Sequence, residues 1–334
     1  MSQRTALEYI RGGITPFFRL PTISFESSEP YSGCDAVVLG VPFDRGTTYR
    51  PGARFAPYEI RRVSALVQGY HPAHRIDVFE ALRAVDGGNV AFPPFSDSVA
   101  REAIELEISR VVSAGAVPFV VGGDHSIALP AMRAVSRRHG PLAVVHVDAH
   151  LDTSDPSVWG EAYHHGTPIR HAISEGVIEK GQLHQVGVRA PWGHAREAEL
   201  STAHGGVLAS VDAVGDRGSC AVASEVVAAV GARPVYITFD VDGVDPAFAP
   251  GTGTPVPGGL SSREVIRFLR ALAGVRIVGM DVVEVCPPLD HADITSHLAA
   301  HLLFEGLALA ALEGRRLSAD PLAVPASSGL AYGK

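Results

Sequence analysis

Residues 142–152 read Leu-Ala-Val-Val-His-Val-Asp-Ala-His-Leu-Asp. Leu142 to Val147 form an apolar run without polar alternation, the pattern of a strand covered on both faces. Similar Val- and Ile-rich runs recur at Asp35 to Val41, Pro118 to Val121, Leu183 to Val188, Pro234 to Phe239 and Arg276 to Met280. Each is followed by Gly, Pro or Asp and then by helical periodicity, which predicts an α/β fold built on a mainly parallel sheet. Helices on both faces of that sheet make a three-layer α/β/α sandwich.

Between the strands, Val99, Ala103, Ile104, Ile108, Val111 and Val112 mark one buried stripe of a helix over Val99 to Ser113. Ser261 and Glu264 form an S-x-x-E capping box, so a helix over Leu260 to Ala273 starts at Ser261. The Ala- and Leu-rich stretch from Ser296 to Glu313 reads as a last helix. No repeat, linker or shift in composition marks a boundary, and a single domain over 1–334 is expected, with its core at about 33–315 and extensions at 1–32 and 316–334. Two long loops, Thr153 to Gly166 and Pro250 to Gly259, are candidates for a substrate mouth beyond the carboxyl ends of the strands.

Composition excludes several classes. With 46% hydrophobic and 19% charged residues the chain has the make-up of a soluble globular protein. Gly, Pro, Asp or Arg interrupts every apolar run before the roughly 18 residues of a membrane span, so no membrane partner is expected. Arg4, Glu8, Arg11 and Arg19 break up the first segment, which therefore lacks a secretory signal and points to the cytoplasm. Cys34, Cys220 and Cys286 show no C-x-x-C spacing, indicating neither a disulfide framework nor a thiolate metal site. The net charge of −8 argues against nucleic acid as a partner.

Chemistry concentrates at three strand ends. In the quoted stretch Asp148, His150 and Asp152 are two apart, so an extended chain turns all three to one side. A solvated acidic turn is the plain alternative; convergent metal ligands are the functional one. Val120-Val121-Gly122-Gly123-Asp124-His125-Ser126 delivers a second histidine where an ordinary strand-to-helix turn would need only Asp124 or Ser126 as a cap. Phe239-Asp240-Val241-Asp242-Gly243-Val244-Asp245-Pro246 repeats the two-residue spacing with Asp240 and Asp242, while Asp245, before a proline, reads as a turn residue. Two histidines and four aspartates on one rim would repel one another if left bare, and their charge matches two divalent cations. Imidazole and carboxylate without thiolate suit Mn²⁺, with Zn²⁺, Ni²⁺, Fe²⁺ and Co²⁺ compatible by ligand type.

These motifs, GGDHS, DAHLDT and TFDVDGVDP followed by AFAPGTGTP, resemble those of the ureohydrolase (arginase and agmatinase) family. VPFDRGTTYRPGAR, HHGTPIR, VGVR and DVVEVCPPLD extend the resemblance over most of the chain, and HGTPIR with VEVCPP is closer to the agmatinase and guanidino-acid hydrolase branch. The resemblance implies a fold of about eight strands. It implies two Mn²⁺ per subunit, one held by His125, Asp148, Asp152 and Asp240 and the other by His150, Asp148, Asp240 and Asp242. A bridging hydroxide would attack a guanidino carbon, releasing urea and an amine from agmatine or a guanidino acid such as 4-guanidinobutyrate. Guanidinium is a poor electrophile, so water must arrive as hydroxide, and two cations lower its pKa far enough. Glu284 corresponds to the family's guanidinium anchor, His165 to the histidine that passes a proton to the leaving amine, and Asp152 also holds the nucleophile. A homotrimer or homohexamer is the expected assembly.

Departures from the family pattern lie at Ala56, where glycine is expected before Pro57, and at Leu151 and Trp159. A carboxylate-tailed substrate would want a cation at the mouth, and Arg45, Arg50, Arg54 and Arg189 are available. Competing readings are an arginase, a two-metal hydrolase acting on an amide or phosphate ester, which Glu284 would disfavour for an anion, and a non-catalytic subunit with the same fold.

Overall fold

The computed structural model describes residues 15–24 and 27–318. Among the described residues ten strands occur in chain order: β1 (Ala36–Gly40), β2 (Tyr70–His71), β3 (Ile76–Asp77), β4 (Ala84–Asn89), β5 (Val117–Val121), β6 (Leu142–Val147), β7 (Ile178–Val188), β8 (Val207–Ser210), β9 (Pro234–Asp240) and β10 (Arg276–Val283). Eight of them form one sheet in the order β4-β1-β5-β10-β9-β6-β7-β8, every pair parallel, while β2 and β3 make a separate antiparallel pair. The strands predicted from apolar runs are the interior ones. The two that were not predicted, β4 and β8, are the sheet's edges. β4 carries Asp86, Gly87, Gly88 and Asn89 in place of an apolar run, and β8 is four residues long and mostly not buried.

Apolar side chains pack on both faces of the sheet. One core gathers Phe119, Phe239 and Phe268 with the helices Ser219–Val230, Ser262–Ala271 and Ile294–Ser318; the other gathers Ile104, Ile108, Met132 and Val135 from Asp97–Ser113 and Ala128–His139. The predicted capping box is present: Ser261 accepts from Glu264 N while the Glu264 side chain accepts from Ser261 N. Ile294–Ser318 includes a stretch, Ile294–Gly314, apolar and long enough to cross a membrane, yet 83% of its most apolar window is buried within the protein, as in a core helix. Phe17, Phe18 and Leu20, in the stretch assigned above to an N-terminal extension, are instead buried in the first core. Asp86 on β4 ties them there by accepting from Phe17 N at 2.9 Å. Ala56 has an ordinary helical φ of −54°, so the glycine expected there is not needed.

Candidate active site

Strands β5, β10, β9 and β6 are neighbours, so their carboxyl ends stand side by side on one rim. β5 leads into His125, β6 into Asp148, His150 and Asp152, β9 into Asp240 and Asp242, and β10 into Glu284. Two glycines make this approach possible. Gly123 has φ +41°, and a Cβ on it would sit 2.2 Å from Phe43 O. A Cβ on Gly243 would fall 2.9 Å from Asp148 N, so the turn after β9 lies directly on the turn after β6.

The order of proton donors settles how His125 is presented. Tyr236 Oη and Thr238 Oγ1 donate to the two oxygens of the fully buried Asp281, at 2.8 and 2.7 Å. Having used its only proton, Thr238 Oγ1 must accept from His125 Nε2 at 2.7 Å. His125 Nδ1, a lone pair in the neutral ring, lies 3.1 Å from Asp148 Oδ2, 2.9 Å from Asp152 Oδ2 and 3.3 Å from Asp240 Oδ2. Burial works downward on this imidazole, but the three carboxylates outweigh it and raise its pKa well above the ordinary value, so a proton takes that place when no cation does. Neither His125 Nδ1 nor Asp152 Oδ2 has a hydrogen-bond partner, although both are buried. Lone pairs gathered in this way repel unless a cation stands among them.

A second group adjoins the first. His150 Nδ1 is 3.3 Å from Asp148 Oδ1 and 3.1 Å from Asp242 Oδ2, so Asp148 belongs to both. Gln185 Nε2 donates to His146 Nδ1 at 3.1 Å, which leaves His146 Nε2 to donate to Asp148 Oδ2 at 2.8 Å. His146 thereby orients a carboxylate rather than offering a lone pair of its own. The charges behave accordingly. Burial, then Asp242 and Asp148, push the Asp240 carboxyl well above its ordinary range. Burial works downward on His150, but Asp242 and Asp148 outweigh it and raise the imidazole to about 12. Without a metal the cluster would collect protons in a cation's place, and its donor set of imidazole and carboxylate fits two divalent ions.

Glu284 and His165 adjoin the cluster. Glu284 Oε1 accepts from His125 N and contacts His165 Nδ1, both at 2.9 Å, and His165 Nε2 lies 2.8 Å from Thr48 Oγ1. Burial opposes protonation of His165, yet Glu284 prevails and raises its pKa to about 9. Asp152 and Glu284 both have left-handed backbone, φ 53° and 64°, a conformation disfavoured for side chains of this kind and held here by the surrounding structure. Asp124, read from sequence as a possible cap, does cap the turn by accepting from Ser126 N; burial and then Glu284 raise its carboxyl to about 7.

A cavity of about 300 Å³ opens over this floor, lined by His150, Asp152, His165, Asp240 and Asp242 below and by Trp159, Trp192 and Glu197 toward solvent. None of the four arginines singled out from sequence lines it. Arg45 pairs with Asp97 and Arg54 with Asp44. Arg50 donates to the carbonyls of Thr252 and Gly253, and Arg189 to a ring of carbonyls that includes Asp242, Gly243 and Val256.

Residues 34–308 match the family model described as arginase family. Proclavaminate amidinohydrolase of Streptomyces clavuligerus is 42% identical over 89% of this chain and 95% of its own, and its solved structure superposes with a TM-score of 0.83 over 90% of this chain and 97% of that one. Guanidinobutyrase of Pseudomonas aeruginosa is 39% identical over 89% of this chain and 92% of its own. The mitochondrial agmatinase of Gallus gallus is 40% identical over 88% of this chain and 85% of its own. Fold, buried His/Asp cluster and relatives agree: the chain belongs to the arginase family.

Proposed function

We propose that this enzyme hydrolyses a terminal guanidino group, releasing urea and the corresponding amine, and that His125, Asp148, His150, Asp152, Asp240 and Asp242 hold its two metal ions. One observation carries the reading: the buried His125 Nδ1, without a hydrogen-bond partner, facing three carboxylates. The arginase family works through a binuclear metal centre, and the buried His/Asp cluster suits one. Mn²⁺ is the ion we assign, on the oxygen-rich, thiolate-free donor set. Two such ions, when bound, would supply water activation at neutral pH and offset the four aspartates.

The remaining work falls to side chains. Glu284 gives a buried carboxylate for the N–H edge of a planar guanidinium. Asp152 accepts a hydrogen bond from the attacking water and keeps it in line with the guanidino carbon. As the water oxygen bonds to that carbon, the C–N bond to the substrate chain breaks and the departing nitrogen needs a proton. His165, held above its ordinary pKa by Glu284 against the effect of burial, donates one proton and takes back one from the water, so that both protons of the water end on the departing nitrogen. The urea carries away the water oxygen, and the amine leaves protonated.

We also read the chain as a single domain working in the cytoplasm as a homotrimer or homohexamer. Its three cysteines being unpaired supports the compartment. The test is urea release by Mn²⁺-loaded enzyme from agmatine, 4-guanidinobutyrate, 3-guanidinopropionate, arginine and guanidine, with Ni²⁺-loaded enzyme in parallel. Urea from at least one is expected. Silence on all, with two ions bound per chain, would overturn the reading.

A further inference from the structure

The cavity has a floor and a rim of different character. On the floor Asp152, Asp240 and Asp242 belong to the cluster whose charge two divalent ions would offset. Of its histidines, His150 belongs to the cluster itself, facing Asp148 and Asp242. Burial, then His165, lowers the pKa of His164, and His165 is paired with Glu284. Trp159 and Trp192, 61% and 45% exposed, line the cavity together with Glu197. Burial raises the Glu197 carboxyl above its ordinary value, while the backbone N–H groups of Gly193 and His194 work the other way and favour its charged form. Among the described residues no arginine or lysine lines the cavity. Arg170 is engaged with Asp155 and Arg189 with carbonyls, while Arg196, beside Glu197 in sequence, is exposed near Asp155 and does not line the cavity. Lys180 lies in the first half of β7, toward the rim opposite the site.

We propose that Glu197, with Trp159 and Trp192, reads the far end of the substrate as a cation, so that the enzyme acts on guanidino amines with a terminal ammonium and not on guanidino acids. The inference rests on the guanidino-hydrolase reading above and names the substrate class for that site. A carboxylate tail would meet Glu197 as a like charge in a cavity that offers no compensating donor cation. An ammonium gains that charge and two indole faces, whose quadrupoles attract cations within about 6 Å. The carbonyl-bound Arg189 braces the loops after β7 and β9, so its charge is not presented in the cavity lining.

The experiment uses full-length, metal-loaded enzyme and three probes: agmatine with an ammonium tail, butylguanidine with a neutral one and 4-guanidinobutyrate with a carboxylate. The expected order of kcat/KM is agmatine, then butylguanidine, then guanidinobutyrate. Glu197→Gln keeps an oxygen for the backbone N–H groups and removes only the charge. It should narrow the agmatine-to-butylguanidine ratio about tenfold, chiefly through KM, the scale of one charged contact. Trp192→Ala should narrow the same ratio a further few-fold, by loss of a cation–π face. Guanidinobutyrate turned over faster than butylguanidine, or a ratio unmoved by both substitutions, would overturn the inference while leaving the guanidino-hydrolase reading intact. No urea from any of the three would overturn both.

Discussion

Among the described residues three histidine–carboxylate groups are close enough to hold a cation, and the two that share Asp148 have the make-up of a metal site while the third does not. On the rim, His125, Asp148, Asp152 and their neighbours bring together more acceptors than donors. In the helical layer, His71, His74 and Glu305 are equally close, but their protons are arranged differently. His71 Nδ1 accepts from His74 N at 3.2 Å, so Nε2 carries the proton and donates to Glu305 Oε2 at 2.9 Å. Glu305 Oε1 accepts from Arg270, whose guanidinium matches its charge at 2.7 Å. The His71 ring stacks on Phe304 with centroids 5.6 Å apart, and only His74 Nε2 lacks a partner. Proximity of ligand types is therefore a poor criterion. Surplus negative charge and a lone pair with nothing to accept are what call for a cation.

The largest effect expected from this contrast is that of Asp148→Asn. Asp148 serves both ligand groups, so the amide should lower metal content and cut urea release by more than the roughly 100-fold that follows loss of a supporting partner. His71→Ala should leave metal per chain, measured by elemental analysis, unchanged. Metal lost from the His71 variant would erase the distinction between the clusters. Thr238→Val sharpens the distinction further. It is nearly isosteric and removes the acceptor that keeps the His125 proton on Nε2. Metal affinity, measured by competition with a chelating dye, should weaken about 10- to 100-fold while the fold persists. Unchanged affinity would mean that the chain from Asp281 through Thr238 does not set the tautomer.

How much of this was legible in sequence depends on whether a residue's neighbours are local. The interior strands announced themselves because burial on both faces demands unbroken apolar runs. β4 and β8 did not, since an edge strand is covered on fewer sides and tolerates Asp86, Gly87 and Ser210. Asp148, His150 and Asp152 could be grouped because they follow one strand closely, but not for the parity expected of an extended chain: β6 ends at Val147, the chain bends at 149–150, and Asp152 reaches the cluster from a left-handed backbone. Thr238 and Asp281 could not be recognised as partners. In sequence they are a strand residue and an isolated acid, and their pairing arises only because β9 and β10 lie side by side with Thr238 opposite Asp281. The arginines illustrate the same limit, for which carbonyls would claim Arg50 and Arg189 depends on loops distant along the chain.

A smaller effect is expected in the balanced cluster. Burial alone would raise the Glu305 carboxyl, but hydrogen bonds from His71 and Arg270 outweigh it and hold it below its ordinary value of 4.5. A carboxyl depressed by folding stabilises the native state fully above its unfolded pKa and loses that contribution as pH falls through the lower, folded one. Glu305→Gln should cost about 1–3 kcal/mol near neutral pH by denaturant unfolding, leaving metal content unchanged. The gap between variant and parent should close as pH drops below 4.5. A gap independent of pH would mean that packing, and not charge, makes Glu305 important.

The smallest effect belongs to Asp245, three residues beyond Asp242 and within the same acidic run. Its Oδ1 accepts from Ala247 N and its Oδ2 from Gly259 N, both within 2.9 Å, so the carboxylate ties the turn after β9 to the loop over 250–259. Asn in its place retains one acceptor oxygen and loses the other, which costs about 1 kcal/mol of stability for one hydrogen bond. Urea release per folded molecule should stay within a factor of about two of the parent, a change smaller than a single weak contact produces. Asp242→Asn, removing a residue that faces His150 at 3.1 Å, should instead reduce both metal content and turnover. Equal losses in these two variants would show that the acidic run acts through its net charge. Unequal losses would place the function in the two-residue spacing that turns Asp240 and Asp242, but not Asp245, toward the histidines.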